Sequence, residues 1–275
     1  MRGTVFYKMS GSGNDFVFLD GRSTNADGWS ADAIEAVCDR RRGVGADGLV
    51  ILTPAAAEAV RMTYWNSDGS RTAMCGNAAL CSGRLAAYLE MVPAGEFCLQ
   101  TEGGPVRVRA QASTDLAEIN LPDLELPPNL LAVSLGRGER WMAYLTVGVP
   151  HVVVRVEDVE KVDVSARGKV LRFEPGLLPA GANVNFVAPV AGLDGLWVIR
   201  TYERGVEGET LACGTGTVAA AVALTLRGEA TLPTQFRSRG GPELSVRAQL
   251  TADRASDVWL AGQARLVYRG IWEGI

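Results

Sequence analysis

One pattern occurs twice in this chain, and it limits the fold more than any other feature. Near the first quarter, Asn66-Ser67-Asp68-Gly69-Ser70 leads to Ala73-Met74-Cys75-Gly76-Asn77 and an Ala- and Leu-rich stretch over 77–91. Later, Glu203-Arg204-Gly205-Val206-Glu207-Gly208-Glu209-Thr210 leads to Leu211-Ala212-Cys213-Gly214-Thr215 and an Ala-rich stretch over 214–227 that stays uncharged until its end. Each copy reads as strand, acidic glycine-containing loop, Cys-Gly-polar, then helix. About half of the 275 residues separate the two cysteines. Such an internal repeat predicts two similar domains facing each other. A helix that is apolar nearly all round must be buried. Small side chains also let strands approach it closely. The expectation is therefore a sheet wrapped around a central helix in each half. The domains are expected at 1–115, rejoined by the last strand over 263–275, and at 116–262.

Strand-like segments dominate the rest. Runs rich in β-branched and aromatic residues, bounded by Gly, Pro, Asp or Asn, predict strands over 4–7, 16–19, 48–52, 60–65, 106–110, 118–120, 141–147, 152–156, 185–188, 196–202, 244–250, 257–261 and 264–270. A third helix is expected over 30–40, with Ser30 as its cap and Ile34, Val37 and Cys38 on one face.

Composition excludes several classes. Apolar residues make up 47% and charged residues 21%, which is globular rather than disordered. Lys plus Arg is 27 against 31 for Asp plus Glu, a net charge of −4, so no nucleic-acid partner is expected. No run of about 18 apolar residues suggests a membrane span, and the start lacks the pattern of a signal peptide. The five cysteines are odd in number and form no CxxC pair, which suits free thiols in a reducing cytoplasm. With a single histidine, His151, no metal site is expected. The three lysines, Lys8, Lys161 and Lys169, lie in no visible pyridoxal-phosphate motif. Gly11-Ser12-Gly13-Asn14 is not followed by Lys-Ser/Thr and a helix, so it is not a phosphate loop.

The two Cys-Gly helix starts carry chemistry. A cysteine just before a helix sits against unpaired N–H groups and the positive end of the dipole, which favours the thiolate. Gly76 and Gly214 leave that backbone uncovered, so a carboxylate can reach it. Two thiols on opposite faces of one carbon can remove a proton from one side and deliver one to the other. Such a pair inverts a stereocentre without a cofactor, while N–H groups stabilise the charge that develops.

Through nearly its whole length the sequence resembles the diaminopimelate epimerase family. The resemblance runs through Phe6-Tyr7-Lys8-Met9-Ser10-Gly11-Ser12-Gly13-Asn14-Asp15-Phe16, Arg42-Gly43-Val44-Gly45-Ala46-Asp47-Gly48, Asn66-Ser67-Asp68-Gly69-Ser70, Met74-Cys75-Gly76-Asn77, Gly148-Val149-Pro150-His151, Asn183-Val184-Asn185-Phe186-Val187, Tyr202-Glu203-Arg204-Gly205 and Glu209-Thr210-Leu211-Ala212-Cys213-Gly214-Thr215-Gly216-Thr217. It implies an α/β (α+β) fold of two pseudo-two-fold related domains with the site in their cleft. It also implies a cofactor-independent isomerase of lysine and peptidoglycan-precursor synthesis, acting on a small amino-acid substrate and often a homodimer. By that resemblance Cys75 and Cys213 are the acid/base pair, and Gly76-Asn77 with Gly214-Thr215 cradle the reacting carboxylate. Arg204, Asn66 and Asn185 hold the distal carboxylate, Asn14 is a further substrate contact, and Glu203 and His151 lie beside the reacting amino group and thiols.

The sequence also departs from the family. Ala78 and Leu80 replace a glycine and an arginine, and Arg71 or Arg84 is a possible substitute for the missing charge. Val149 stands where many members carry Asn, and Gly48 where some carry Gln. The loop over 205–209 is one residue longer than the commonest form. A related racemase for another amino acid, such as histidine or proline, is the first alternative. A same-fold protein lacking paired thiols and a thiol-redox protein are others, and the two cysteines without CxxC count against both. Asp47 and Asp68 read as Asp-Gly turn residues. Cys38, Cys81 and Cys98 read as structural.

Overall fold

The computed structural model describes residues 3–56, 58–126, 133–177 and 179–274. The chain forms two compact units, Met1–Ile119 with Ala261–Ile275, and Asn120–Leu260.

In the first unit β1 (Thr4–Gly11), β2 (Asn14–Asp20), β3 (Gly48–Ala56), β4 (Ala59–Asn66), β5 (Gly95–Thr101), β6 (Gly104–Ala110) and β7 (Leu116–Leu121) are neighbours in that order. Helix α1 (Ala31–Cys38) joins β2 to β3, and α2 (Gly76–Tyr88) joins β4 to β5. The pairings alternate: β1–β2 antiparallel, β2–β3 parallel, β3–β4 antiparallel, β4–β5 parallel, β5–β6 antiparallel. A parallel step needs a long crossover, and a helix supplies each one.

The second unit follows the same plan. It contains β8 (Leu124–Glu125), β9 (Glu139–Val147), β10 (Val149–Val156), α3 (Val164–Arg172), β11 (Asn183–Pro189), β12 (Leu196–Glu203), β13 (Gly208–Thr210), α4 (Gly214–Leu226), β14 (Thr234–Arg237), β15 (Glu243–Leu250) and the first part of β16 (Arg254–Trp272), whose remainder belongs to the first unit. β9–β10, β11–β12 and β14–β15 are antiparallel, while β10–β11 and β12–β14 are parallel. The Cys-Gly repeat is therefore a repeat of topology. β16 pairs with β8 in the second unit and then with β1 in the first.

Each unit wraps its sheet around its Ala-rich helix. α2 packs against β1, β3, β4, β5 and β6, and every residue from Asn77 to Ala87 is buried. α4 packs against β9, β10, β11 and β15 and is buried from Gly216 to Leu224. Larger side chains would hold the strands off, so alanine sets the close approach. The few large residues, such as Leu80 and Leu85, contribute about 1.5–3 kcal/mol each by burial. α1 covers the other face of the first sheet. Ser30 caps it by accepting from the Ala33 N–H at 3.2 Å, and Ile34 and Val37 pack on Val17, Leu19, Leu49 and Ile51. Strands covered on both faces read as unbroken apolar runs, which is why Phe16–Leu19 and Leu49–Leu52 do not alternate.

Four strands and one helix differ from the sequence reading. β5, β8, β13 and β14 were not anticipated, and two predicted strands, over 257–261 and 264–270, are parts of the single strand β16. α3 was missed because Gly168 interrupts a polar stretch. Its usable signal was Asp163, whose carboxylate caps the Ala166 N–H at 2.9 Å. Among the described residues no helix is long and apolar enough to cross a membrane.

Candidate active site

Cys75 and Cys213 occupy matching positions. Each is the N-cap of a 13-residue central helix, with extended backbone angles of φ −135°, ψ 124° and φ −129°, ψ 107°. Each carbonyl accepts the first helical N–H at 2.9 Å, from Ala79 and from Thr217. Neither thiol is used as the cap, and both cysteines are only partly buried. The remaining first-turn N–H groups give the positive dipole end that favours a thiolate. Cys38 and Cys81 contrast with them. Burial pushes the Cys38 thiol up to about 11 and the fully enclosed Cys81 thiol well above its ordinary value.

In the second unit a directional chain of bonds ends at Cys213. The Asn185 Nδ2 donates to the Val152 carbonyl at 3.1 Å, and its Oδ1 accepts from the Thr201 hydroxyl at 3.0 Å. Those partners fix the amide orientation, so the same Nδ2 donates to His151 Nδ1 at 3.2 Å. The proton of the neutral imidazole is then on Nε2, which donates to Thr215 Oγ1 at 3.0 Å. That hydroxyl lies 3.7 Å from Cys213 Sγ. His151 is fully buried, and burial, aided by the Arg204 charge, pushes its pKa down to about 3. Gly216 makes the arrangement possible, because a Cβ there would overlap Asn185 Oδ1 and come within 3.2 Å of Cys213 Sγ.

Glu203 ends β12 and Arg204 follows it in the turn. The Arg204 backbone N–H donates to Asn183 Oδ1 at 2.8 Å, and its guanidinium touches the Ala180 carbonyl at 3.3 Å. Among the described residues no carboxylate pairs with that guanidinium. Glu203 is partly buried, and burial pushes its carboxyl above the usual range. The resemblance assigns Asn185 a carboxylate contact. In the structure its Nδ2 is committed to Val152 and His151, so it has no spare donor. Asn183, which the sequence reading passed over, is the asparagine beside Arg204.

The first unit builds a second network around Cys75-Gly76-Asn77. Asn77 Nδ2 donates to Asn14 Oδ1 at 2.7 Å, and Asn14 Nδ2 donates to Asp47 Oδ2 at 2.9 Å. Arg40 bonds Asp47 and Asp15, each at 2.7 Å, and Lys8 pairs with Asp15 at 2.6 Å. Burial alone would raise the Asp15 carboxyl, but hydrogen bonds from Arg40 and Lys8 hold it at about 2. Asp47 therefore does more than shape its turn: it orients Asn14. Asn77 Oδ1 is sealed and has no partner among the described residues. Asn66 serves its own loop, with Nδ2 donating to Ser70 Oγ at 3.0 Å and Thr72 Oγ1 at 2.8 Å. Leu80 is fully buried in α2. Arg71 pairs with Glu102 at 2.7 Å, and Arg84 bonds the Thr114 carbonyl, so each arginine is already engaged.

The sequence model of the family described as "Diaminopimelate epimerase" matches residues 6–120 and 143–267. A protein named diaminopimelate epimerase from Gemmatimonas aurantiaca is 42% identical over 279 residues, covering 98% of this chain and 99% of that one. Another of that name from Chlorobaculum tepidum is 36% identical, covering 95% and 98%. Among solved structures, a hydroxyproline epimerase from Agrobacterium vitis shares the fold with a TM-score of 0.67 at 17% identity, covering 100% of this chain and 95% of that one. The chain belongs to the diaminopimelate epimerase family of isomerases.

Proposed function

We propose that the protein interconverts the LL and meso forms of diaminopimelate by proton transfer between two thiols at one α-carbon. The observation that carries this reading is the matched pair of cysteine N-caps, Cys75 and Cys213, each followed by glycine at a buried helix in a repeated topology. One thiolate takes the α-proton and its sulfur becomes a thiol. The electron pair left on carbon delocalises into the carboxylate, whose oxygens accept from the N–H groups at Gly76-Asn77 and Gly214-Thr215. The other thiol delivers its proton to the opposite face and becomes the thiolate. No electrons leave the substrate, so no redox partner is needed, and the two sulfurs exchange protonation states with each turnover.

The remaining residues take supporting roles. Neutral His151 donates to Thr215, whose hydroxyl proton is then directed at Cys213 and favours its thiolate. The guanidinium of Arg204 is available for a bidentate pair with the distal carboxylate. Asn183, rather than Asn185, is placed to accompany it. Asn14, held by Asp47, lines the Cys75 side, and Glu203 accepts from the substrate ammonium. The protein works in the cytoplasm as a homodimer. The test is to incubate reduced protein with LL-diaminopimelate and resolve the products by chiral chromatography, with histidine and proline as competing candidates. Formation of the meso isomer alone supports the reading. Racemisation of proline or histidine without turnover of diaminopimelate would replace it.

A further inference from the structure

The face of β4 that looks toward α2 carries an unusual tyrosine. In the β3–β4 register Gly48 lies opposite Asn66, and Val50 opposite Tyr64. In the β2–β3 register Phe16 lies beside Gly48. Alternate residues of a strand share a face, so Tyr64 and Asn66 point the same way. Trp65 points the other way, into the core beneath α1. Tyr64 is therefore on the α2 side, the side of Cys75-Gly76-Asn77. Its ring meets Phe16 edge-on, with centroids 5.9 Å apart and an interplanar angle of 79°. A Cβ at Gly48 would lie 2.5 Å from Tyr64 Cε2 and 3.0 Å from its hydroxyl. The phenol ring thus fills the volume a side chain at position 48 would take.

Tyr64 is only 6% exposed, yet its hydroxyl makes no hydrogen bond with any described residue. It is also absent from the sealed, unpartnered polar atoms of the core, so the hydroxyl oxygen keeps some accessible surface. A phenylalanine would pack over Gly48 as well and leave no polar atom unsatisfied. Burial and the nearby Cys75 and Asp47 push the phenol pKa upward, so the group stays protonated and donates. Its neighbour Asn66 has already committed its Nδ2 to Ser70 and Thr72. This stretch of β4 therefore offers a ligand one side-chain donor, the Tyr64 hydroxyl.

We infer that Tyr64 is a further substrate-binding residue, whose hydroxyl donates a hydrogen bond to the distal carboxylate of the bound diamino acid. The inference rests on the function proposed above. The helix-start N–H groups take the reacting carboxylate, and the distal carboxylate remains as the acceptor. Gly48 is the companion change that leaves room for the ring.

The test compares wild type with Tyr64→Phe, using diaminopimelate as substrate and L-lysine, the same skeleton without the distal carboxylate, as competitor. Tyr64→Phe is expected to raise KM for diaminopimelate about 10- to 100-fold, the loss typical of a hydrogen bond to a charged group. The kcat, the melting midpoint and the inhibition constant of lysine should stay near wild type. An unchanged KM, or equal weakening of diaminopimelate and lysine, overturns the inference. Wild type that fails to turn over diaminopimelate refutes the proposed function, and this inference falls with it. If Tyr64→Phe does not fold, 3-fluorotyrosine at position 64 supplies a 19F signal. That signal should move with diaminopimelate and not with lysine. A signal indifferent to diaminopimelate overturns the inference.

Discussion

His151 Nε2 lies 3.0 Å from Thr215 Oγ1, and within this bond the imidazole is the donor, because Asn185 already donates to its other nitrogen. The ring is thus built into the fold as a neutral group. In the unfolded chain it titrates near 6.5, whereas burial holds it at about 3 in the folded one. Below 6.5 the unfolded state binds the extra proton. The stabilisation is complete above that pH and is lost as pH falls toward 3, by about 2 kcal/mol at pH 5. Urea unfolding of wild type and His151→Gln at pH 7 and pH 5 checks this. The stability gap between them should narrow by about that amount, and a constant gap contradicts a neutral buried imidazole.

Gly216→Ala sets helix propensity against packing. Alanine in a helix gains about 1 kcal/mol over glycine. Here the new methyl overlaps Asn185 Oδ1 and crowds Cys213 Sγ. Overpacking of this kind costs about 1–3 kcal/mol, so the variant should melt lower and lose activity as the His151–Thr215 bond shifts. A variant more stable than wild type would show that the asparagine yields freely.

Among the described residues, Arg204 is held only through one carbonyl contact of its guanidinium and through its backbone N–H. Arg204→Lys keeps the charge but loses the planar fork. KM for diaminopimelate should rise about 10-fold or more, with an unchanged melting midpoint. An unchanged KM would remove Arg204 from the distal carboxylate.

Asp47→Asn keeps a single acceptor oxygen, so it can no longer accept from Arg40 and from Asn14 together, and the charge that holds Arg40 is lost. The expected result is a fall in kcat/KM of about 5- to 20-fold. Because Asp47 is partly exposed, the stability loss should stay below about 1 kcal/mol. Wild-type kinetics would mean that Asn14 needs no anchor.

The central helices were legible in the sequence because an uncharged Ala-rich stretch has only one stable place, inside a sheet. The two thiols were legible because the motif occurs twice at the same structural point. The networks behind them were not. Asp47 looks like any Asp-Gly turn until the fold brings Asn14 to it across 33 residues. Asn183 and Asn185 are two apart on β11 and indistinguishable by type. The register with β10 sets His151 beside Asn183, yet the side-chain bonds tie His151 to Asn185 and the Arg204 N–H to Asn183, a distinction that only the folded structure makes. Tyr64 reads as an ordinary apolar strand residue, since neither its orphan hydroxyl nor its place over Gly48 is a local property of the sequence.

The most direct measurement is α-proton exchange. Reduced protein, Cys75→Ala and Cys213→Ala are each incubated with LL-diaminopimelate in D2O, and deuterium and stereochemistry are read by mass spectrometry and chiral chromatography. The wild type should yield meso product carrying deuterium at the inverted centre. Each folded alanine variant should lose interconversion by at least about 10³-fold. A single alanine variant that still converts LL to meso at the wild-type rate would contradict the two-thiol account.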